Sequence, residues 1–157
     1  MAVCVAEPGV LTPARIPERT PAPAVPAPAV LATARAIVER GWLQHGWCVD
    51  DRPSRLAGLL AGPPRPEEVE RACLVAAITV AAHRGGRLVN VERDAMPWIA
   101  LAWRCLPGAP GRPAPVLRGP RGTALIRELT VWNDAPRRTQ GEVVALLERA
   151  DRLTRVG

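Results

Sequence analysis

The chain has 157 residues, 48% of them hydrophobic, with 18 Pro, 13 Gly, 5 Trp and neither Phe nor Tyr, which is the size of one ordinary domain. No stretch approaches the roughly 20 apolar residues that a membrane-crossing helix needs, and the first residues lack the basic leader and apolar core of a secretory signal, so a cytoplasmic protein with no membrane partner is expected. The net charge of +6 rests on 21 Arg and no Lys, and richness in Ala, Arg and Pro of this kind marks a GC-rich genome, so the pI near 10.7 is weak evidence for a nucleic-acid partner.

Residues 1 to 28 hold seven prolines and end in Pro21-Ala22-Pro23-Ala24-Val25-Pro26-Ala27-Pro28. The missing N–H groups forbid helix or sheet ladders, so the segment reads as an extended or disordered arm of polyproline II character. Residues 29–157 then form a single helical domain, long enough to bury about two-thirds of its unfolded surface.

A first helix is expected over residues 29–45, with Leu31, Ala34 and Val38 on one face, Gly41 in a left-handed C-terminal turn and Trp42 folded back. Gly46 to Pro66 reads as irregular, broken by Asp50-Asp51-Arg52-Pro53 and Gly62-Pro63-Pro64-Arg65-Pro66, with Leu56, Leu59 and Leu60 forming a short helical turn between them. The strongest helix signal runs from Glu67 to Arg84: Glu67, Glu68 and Glu70 suit the positive end, His83 and Arg84 the negative end. Val69, Cys73, Ala76 and Val80 make its stripe, and Leu74, Ala77, Ile78 and Ala81 fill the flanks, the pattern of a central buried helix.

A third helix follows from Trp98, Leu101, Ala102, Cys105 and Leu106, with Pro97 in the first turn and Pro107-Gly108 as the stop. Pro107 to Pro120 is a Pro/Gly-rich loop. Thr123 to Thr130 is read as a short fourth helix, although Leu129 to Trp132 also suits a strand. Thr139-Gln140-Gly141-Glu142 is a capping box opening a last helix to about Arg152, with Val143, Leu146, Leu147, Ala150 and Leu153 facing inward and Glu148 paired with Arg152. The expected fold class is all-α: a small irregular bundle of four to five helices, with no convincing strand pair and a disordered Pro-rich N-terminal arm.

Trp132-Asn133-Asp134-Ala135-Pro136-Arg137-Arg138-Thr139-Gln140-Gly141-Glu142-Val143 resembles the ending of a family of short actinobacterial proteins of unknown function, with the pattern Trp-Asn-Asp-x-x-x-Arg-Thr-x-x-Glu-Val before a Leu-rich helix. Arg40-Gly41-Trp42-Leu43-Gln44 and Ala72-Cys73-Leu74-Val75-Ala76-Ala77-Ile78 are similar to two upstream pieces of the same family, so the resemblance spans about residues 31 to 153. The chain departs from the pattern at Arg137, at Ala76 and in the Pro-rich insertion between Val49 and Cys73. The resemblance implies no activity.

Trp132, Asn133, Asp134, Arg138 and Thr139 crowd polar groups at a helix N-terminus, where free N–H groups could hold a phosphate or carboxylate. The same residue types also make Asx turns and helix caps, with Asp134 paired to Arg138, and that reading is favoured. The rival surface for an anion is the region from Arg104 to Arg127, which carries Arg112, Arg118, Arg121 and Arg127 and has no acid between Asp94 and Glu128. No helix-turn-helix, RNA-binding aromatic motif or zinc finger accompanies it.

Cys4, Cys48, Cys73 and Cys105 stand apart with no Cys-x-x-Cys pair, which fits reduced thiols. With His45 and His83 they lack the knuckle spacing of a metal site. Cys48 with either His would make a nucleophile pair only in suitable geometry, and no acyl-transfer, phosphate-loop or dinucleotide signature is present. Trp98 is assigned to the core. Trp42, Trp47, Trp103 and Trp132 are candidates for an aromatic surface, with core packing favoured. Together these features predict no catalytic residues, cofactor or metal. They point to a non-enzymatic helical binding or regulatory module for a protein partner, with nucleic-acid binding through residues 104–127 as the alternative.

Overall fold

The structure is a computed structural model, and it describes residues 27–50, 64–83, 94–109 and 120–156. Residues 1–26 of the expected arm, the Leu56 to Leu60 turn, Arg84, most of the Pro107 to Pro120 loop, Cys4, Arg112 and Arg118 lie outside these residues, whereas Ala27 and Pro28, expected in the arm, form the first turn of a helix, where a proline's missing N–H is no loss.

Helix α1 spans Ala27–Arg40. Its inward face is Val30, Leu31, Ala34, Ile37 and Val38, the spacing of an amphipathic helix laid on a core. It ends five residues before the expected point, at Gly41, whose N–H still reaches the Ile37 carbonyl at 3.2 Å. Gly41 is not in the left-handed region. It is glycine for another reason: a Cβ there would run into the Glu70 carbonyl and the Arg71 side chain. That close approach lets Ala72 N–H donate to the Gly41 carbonyl at 3.0 Å and Leu43 N–H donate to the Ala72 carbonyl at 3.2 Å.

The main departure from the all-α expectation follows. Strand β1, Cys48–Asp50, pairs antiparallel with β2, Val69–Ala72, in the register Cys48 with Ala72, Val49 with Arg71 and a slip before Asp50 with Val69. The segment from Glu67 to Cys73 is therefore not the start of a helix. Pro66–Glu68 is a single 3-10 turn, and in β2 Val69 and Ala72 are buried while Glu70 and Arg71 are exposed. The stripe Val69, Cys73, Ala76, Val80 suited a helix in sequence, but hydrogen bonds to β1 and Gly41 took the first four residues away from it.

Helix α2 is Leu74–Ala82, and every residue but Ala81 is buried, as expected for the central helix. Cys73 caps it, its sulfur accepting from the Ala76 N–H at 3.5 Å. Helix α3, Met96–Arg104, buries Met96, Ile99, Ala100, Ala102 and Trp103. The predicted stripe is thus rotated: Trp98 and Leu101 are only partly buried, while Trp103 is 4% exposed and donates its indole N–H to Glu128 Oε2 at 2.8 Å. A helix apolar on several faces does not say which face turns inward.

Helix α4, Pro120–Asn133, is longer than the predicted Thr123 to Thr130 piece and settles the strand alternative. Leu125, Leu129 and Asn133 form its buried line at i, i+4 and i+8. Helix α5, Gln140–Val156, buries Val143, Leu146, Leu147 and Ala150 as predicted, but Leu153, expected to face inward, is 46% exposed. Glu148, expected to pair with Arg152, reaches Arg35 of α1 at 3.6 Å. The five helices of the described residues share one core: α2 packs on α1, α3 and α4, and α5 lies across α1 and α3.

Candidate functional site

The turn between α4 and α5 is built around Asn133. Pro136 bars a continued helix, and the Asp134 N–H closes the last turn on the Thr130 carbonyl at 2.9 Å. Asn133 is 1% exposed, and each of its four side-chain hydrogen-bonding positions is used. Its Oδ1 accepts from the Trp42 indole N–H at 2.9 Å and the Leu74 backbone N–H at 3.2 Å. Its Nδ2 donates to the Leu43 carbonyl at 3.1 Å and to Asp134 Oδ1 at 2.8 Å. One side chain thus satisfies an orphan N–H at the start of α2 and ties it to the segment after α1 and the end of α4.

Neighbouring groups extend this junction. Gln44 Nε2 donates to the Asn133 and Ala135 carbonyls at 3.1 and 2.9 Å, the second of which also accepts from the Arg138 N–H at 2.8 Å. Asp134 does not pair with Arg138. Its Oδ1 accepts from the His45 backbone N–H at 3.0 Å, and its Oδ2 faces His45 Nδ1 at 3.7 Å. That grip fixes His45 in the left-handed region, at a φ of 55°.

Arg138 turns the other way. Its guanidinium lies 3.9 Å over the Trp132 ring, its Nε donates to the Trp132 carbonyl at 3.1 Å, and its Nη1 meets Glu142 Oε1 at 2.7 Å. The Trp132 indole N–H is buried with no hydrogen-bond partner.

The predicted capping box is present. Thr139 N–H donates to Glu142 Oε2 at 2.8 Å, and the Glu142 N–H donates to Thr139 Oγ1 at 3.3 Å. The Thr139 donors, with Arg138 beside them, hold the Glu142 carboxyl below its ordinary range. The negative charge resting at the positive end of α5 is therefore the chain's own carboxylate. Next to it, Gln140 Nε2 donates to the Val38 and Glu39 carbonyls at 2.6 and 3.1 Å, capping α1 from the start of α5.

Trp132, Asn133, Asp134, Arg138 and Thr139 are thus brought together. Each of these side chains engages other groups of the chain, while the Trp132 N–H has no hydrogen-bond partner. Sequence reasoning missed Gln44, Gln140 and Arg40, which donates to the Val69 and Pro66 carbonyls. Arg40 and Gln44 lie inside one resemblance segment, and that was the available signal. The three segments quoted for the resemblance meet at this junction: Trp42, Leu43 and Gln44 from one, Leu74 from another, Asn133 and Asp134 from the third.

The other candidates are dispersed. Among the described residues no three His, Cys, Asp or Glu side chains gather as a metal site, and no disulfide joins Cys48, Cys73 or Cys105. Burial pushes the Cys73 and Cys105 thiols up and the His83 imidazole down. Arg127 is exposed on α4, and Arg121 lies in that helix's first turn. No helix of the described residues is long and apolar enough to cross a membrane.

The chain belongs to the family of unknown function DUF6197, whose model matches residues 22–153. No curated protein and no solved structure matches it.

Proposed function

We propose that this family member is a cytoplasmic, non-enzymatic helical module that recognises a protein partner through the surface beside the Asn133 junction. The observation that carries this reading is that large apolar side chains are left in water there: Val131 is 66% and Trp47 is 52% exposed. Val131 stands three residues before Asp134 in the chain, and Trp47 two residues after the His45 whose backbone N–H Asp134 accepts from. An exposed tryptophan and an exposed aliphatic side chain have the composition of interface anchors. The polar cluster from Trp132 to Thr139 supports such a surface by fixing its backbone, since a rigid frame reduces the ordering that binding must impose.

The test is recovery of a stoichiometric partner from the native host, with wild type beside a Trp47→Ala, Val131→Asp variant. Loss of the partner from the folded variant is the expected result. A wild-type protein that stays monodisperse and alone across growth conditions would overturn the proposal, as would a variant that keeps its partner.

A further inference from the structure

A second polar surface lies at the far end of α3. Arg104 closes that helix, and the carbonyl of the next residue, Cys105, accepts from Arg149 Nη2 at 3.5 Å. Arg152 follows Arg149 by three residues on the same side of α5, about 4.5 Å further along the axis. All three arginines are exposed, and the positive charges of all three act on the Cys105 thiol, partly offsetting the upward push of its burial. The acids of α5 in this stretch are turned to other partners, Glu148 to Arg35 at 3.6 Å and Asp151 to Arg155 at 2.7 Å. A helix C-terminus calls for one cation on its open carbonyls, and Arg149 meets that need. Two further guanidinium groups remain.

We infer that Arg104, Arg149 and Arg152 form a face that binds the phosphate backbone of a nucleic acid. Guanidinium groups match phosphate as planar forks, and three of them spread over two helices suit an extended polyanion better than a single small anion. Phosphates recur at regular intervals along any strand, so three are met without a sequence fit. An acidic peptide would have to bring three carboxylates onto one side. The face uses neither Val131 nor Trp47, and the inference does not rest on the protein-partner reading.

The test is a titration of the full chain against a short fluorescent duplex DNA and a single-stranded RNA, at several salt concentrations. Binding that engages three phosphates gives a log–log salt slope of about −2.7 on the duplex or about −2 on the single strand. Binding to either polymer supports the inference, and the tighter one names the strand type. R104Q and R152Q should each reduce the slope by about one unit, and R104Q/R149Q/R152Q should remove it, while R104K/R149K/R152K keeps it. Among the described residues the single variants touch no hydrogen bond, so a triple variant that fails to fold leaves the test standing. No wild-type binding at low salt, or unchanged slopes in the single variants, would overturn the inference. So would loss of binding in R112Q/R118Q/R121Q alone, or polyglutamate bound as tightly as either nucleic acid.

Discussion

The packing around α2 and the junction around Asn133 hold the same helices together by opposite means. Around α2 the contacts are apolar and nondirectional: Leu74, Ile78, Ile99, Leu129 and Leu146 are all fully buried, and many side chains of similar volume could fill that space. Around Asn133 the contacts are directional, and each of the two N–H groups and two acceptor positions of its amide has an assigned partner. The core says that the helices must meet; the junction says at which residues. The two regions should therefore respond differently to substitution.

The largest effect is expected at the junction. Asn133→Leu keeps the size of the side chain but strands the Trp42 and Leu74 N–H groups and the Leu43 carbonyl, and at about 1 to 3 kcal/mol for each group left unsatisfied the loss is about 4 kcal/mol. Chemical denaturation measures it. A loss under about 1 kcal/mol would mean that water or a neighbour replaces the amide, and the junction would not be the directional element argued here. Asn133→Asp sharpens the point, because it keeps the acceptor, deletes the donors and sets a second carboxylate beside Asp134.

In the core, Ile78→Ala should cost about 3 kcal/mol through lost burial and a residual cavity, whereas Ile78→Val costs about 1 kcal/mol. That graded response is the contrast with Asn133, where no near-isostere supplies the same two donors and two acceptors. Equal losses for Ile78→Val and Ile78→Ala in the same denaturation series would put geometric specificity in the core as well.

The difference also explains what the sequence disclosed. Local codes were legible: the Thr139 to Glu142 capping box, the stripe of α5 and the all-round apolar character of α2 depend on residues within a few positions of one another. The strand pair was not, because β1 and β2 are three and four residues long and are held by backbone pairing to each other and to Gly41. In β2 the residues that face the core, Val69 and Ala72, are also three apart, which is helical spacing. The face of α3 was misread for a related reason: Trp98 and Trp103 both continue apolar lines, and only the position of Glu128 on α4 decides that Trp103 turns inward. At the junction the residue types were visible, but three of the four partners of Asn133 stand 59 to 91 positions away. Spacing rules do not reach that far.

The smaller effects belong to the rim of the junction. Thr139→Ala removes the hydroxyl that accepts from the Glu142 N–H and should cost about 1 kcal/mol of thermal or chemical stability. The same pair sets a pH response. Because the Glu142 carboxyl has a lower pKa folded than unfolded, the unfolded chain takes up its proton first as the solution is acidified. The stability this group contributes is therefore complete above its ordinary value of 4.5 and declines as pH falls through the lower folded value. Glu142→Gln should flatten that part of the stability profile, with the largest loss at neutral pH, where the carboxylate is ionised, and the smallest at low pH, where the wild-type carboxyl is protonated too; a glutamine oxygen that still accepts from the Thr139 N–H keeps the loss small. Asn133→Leu should shift the whole profile down without changing its shape there, because Asn133 does not titrate. If Glu142→Gln lowered stability equally at every pH, the capping box would act through packing and hydrogen-bond geometry alone, and the charge at the start of α5 would play no part in holding the turn.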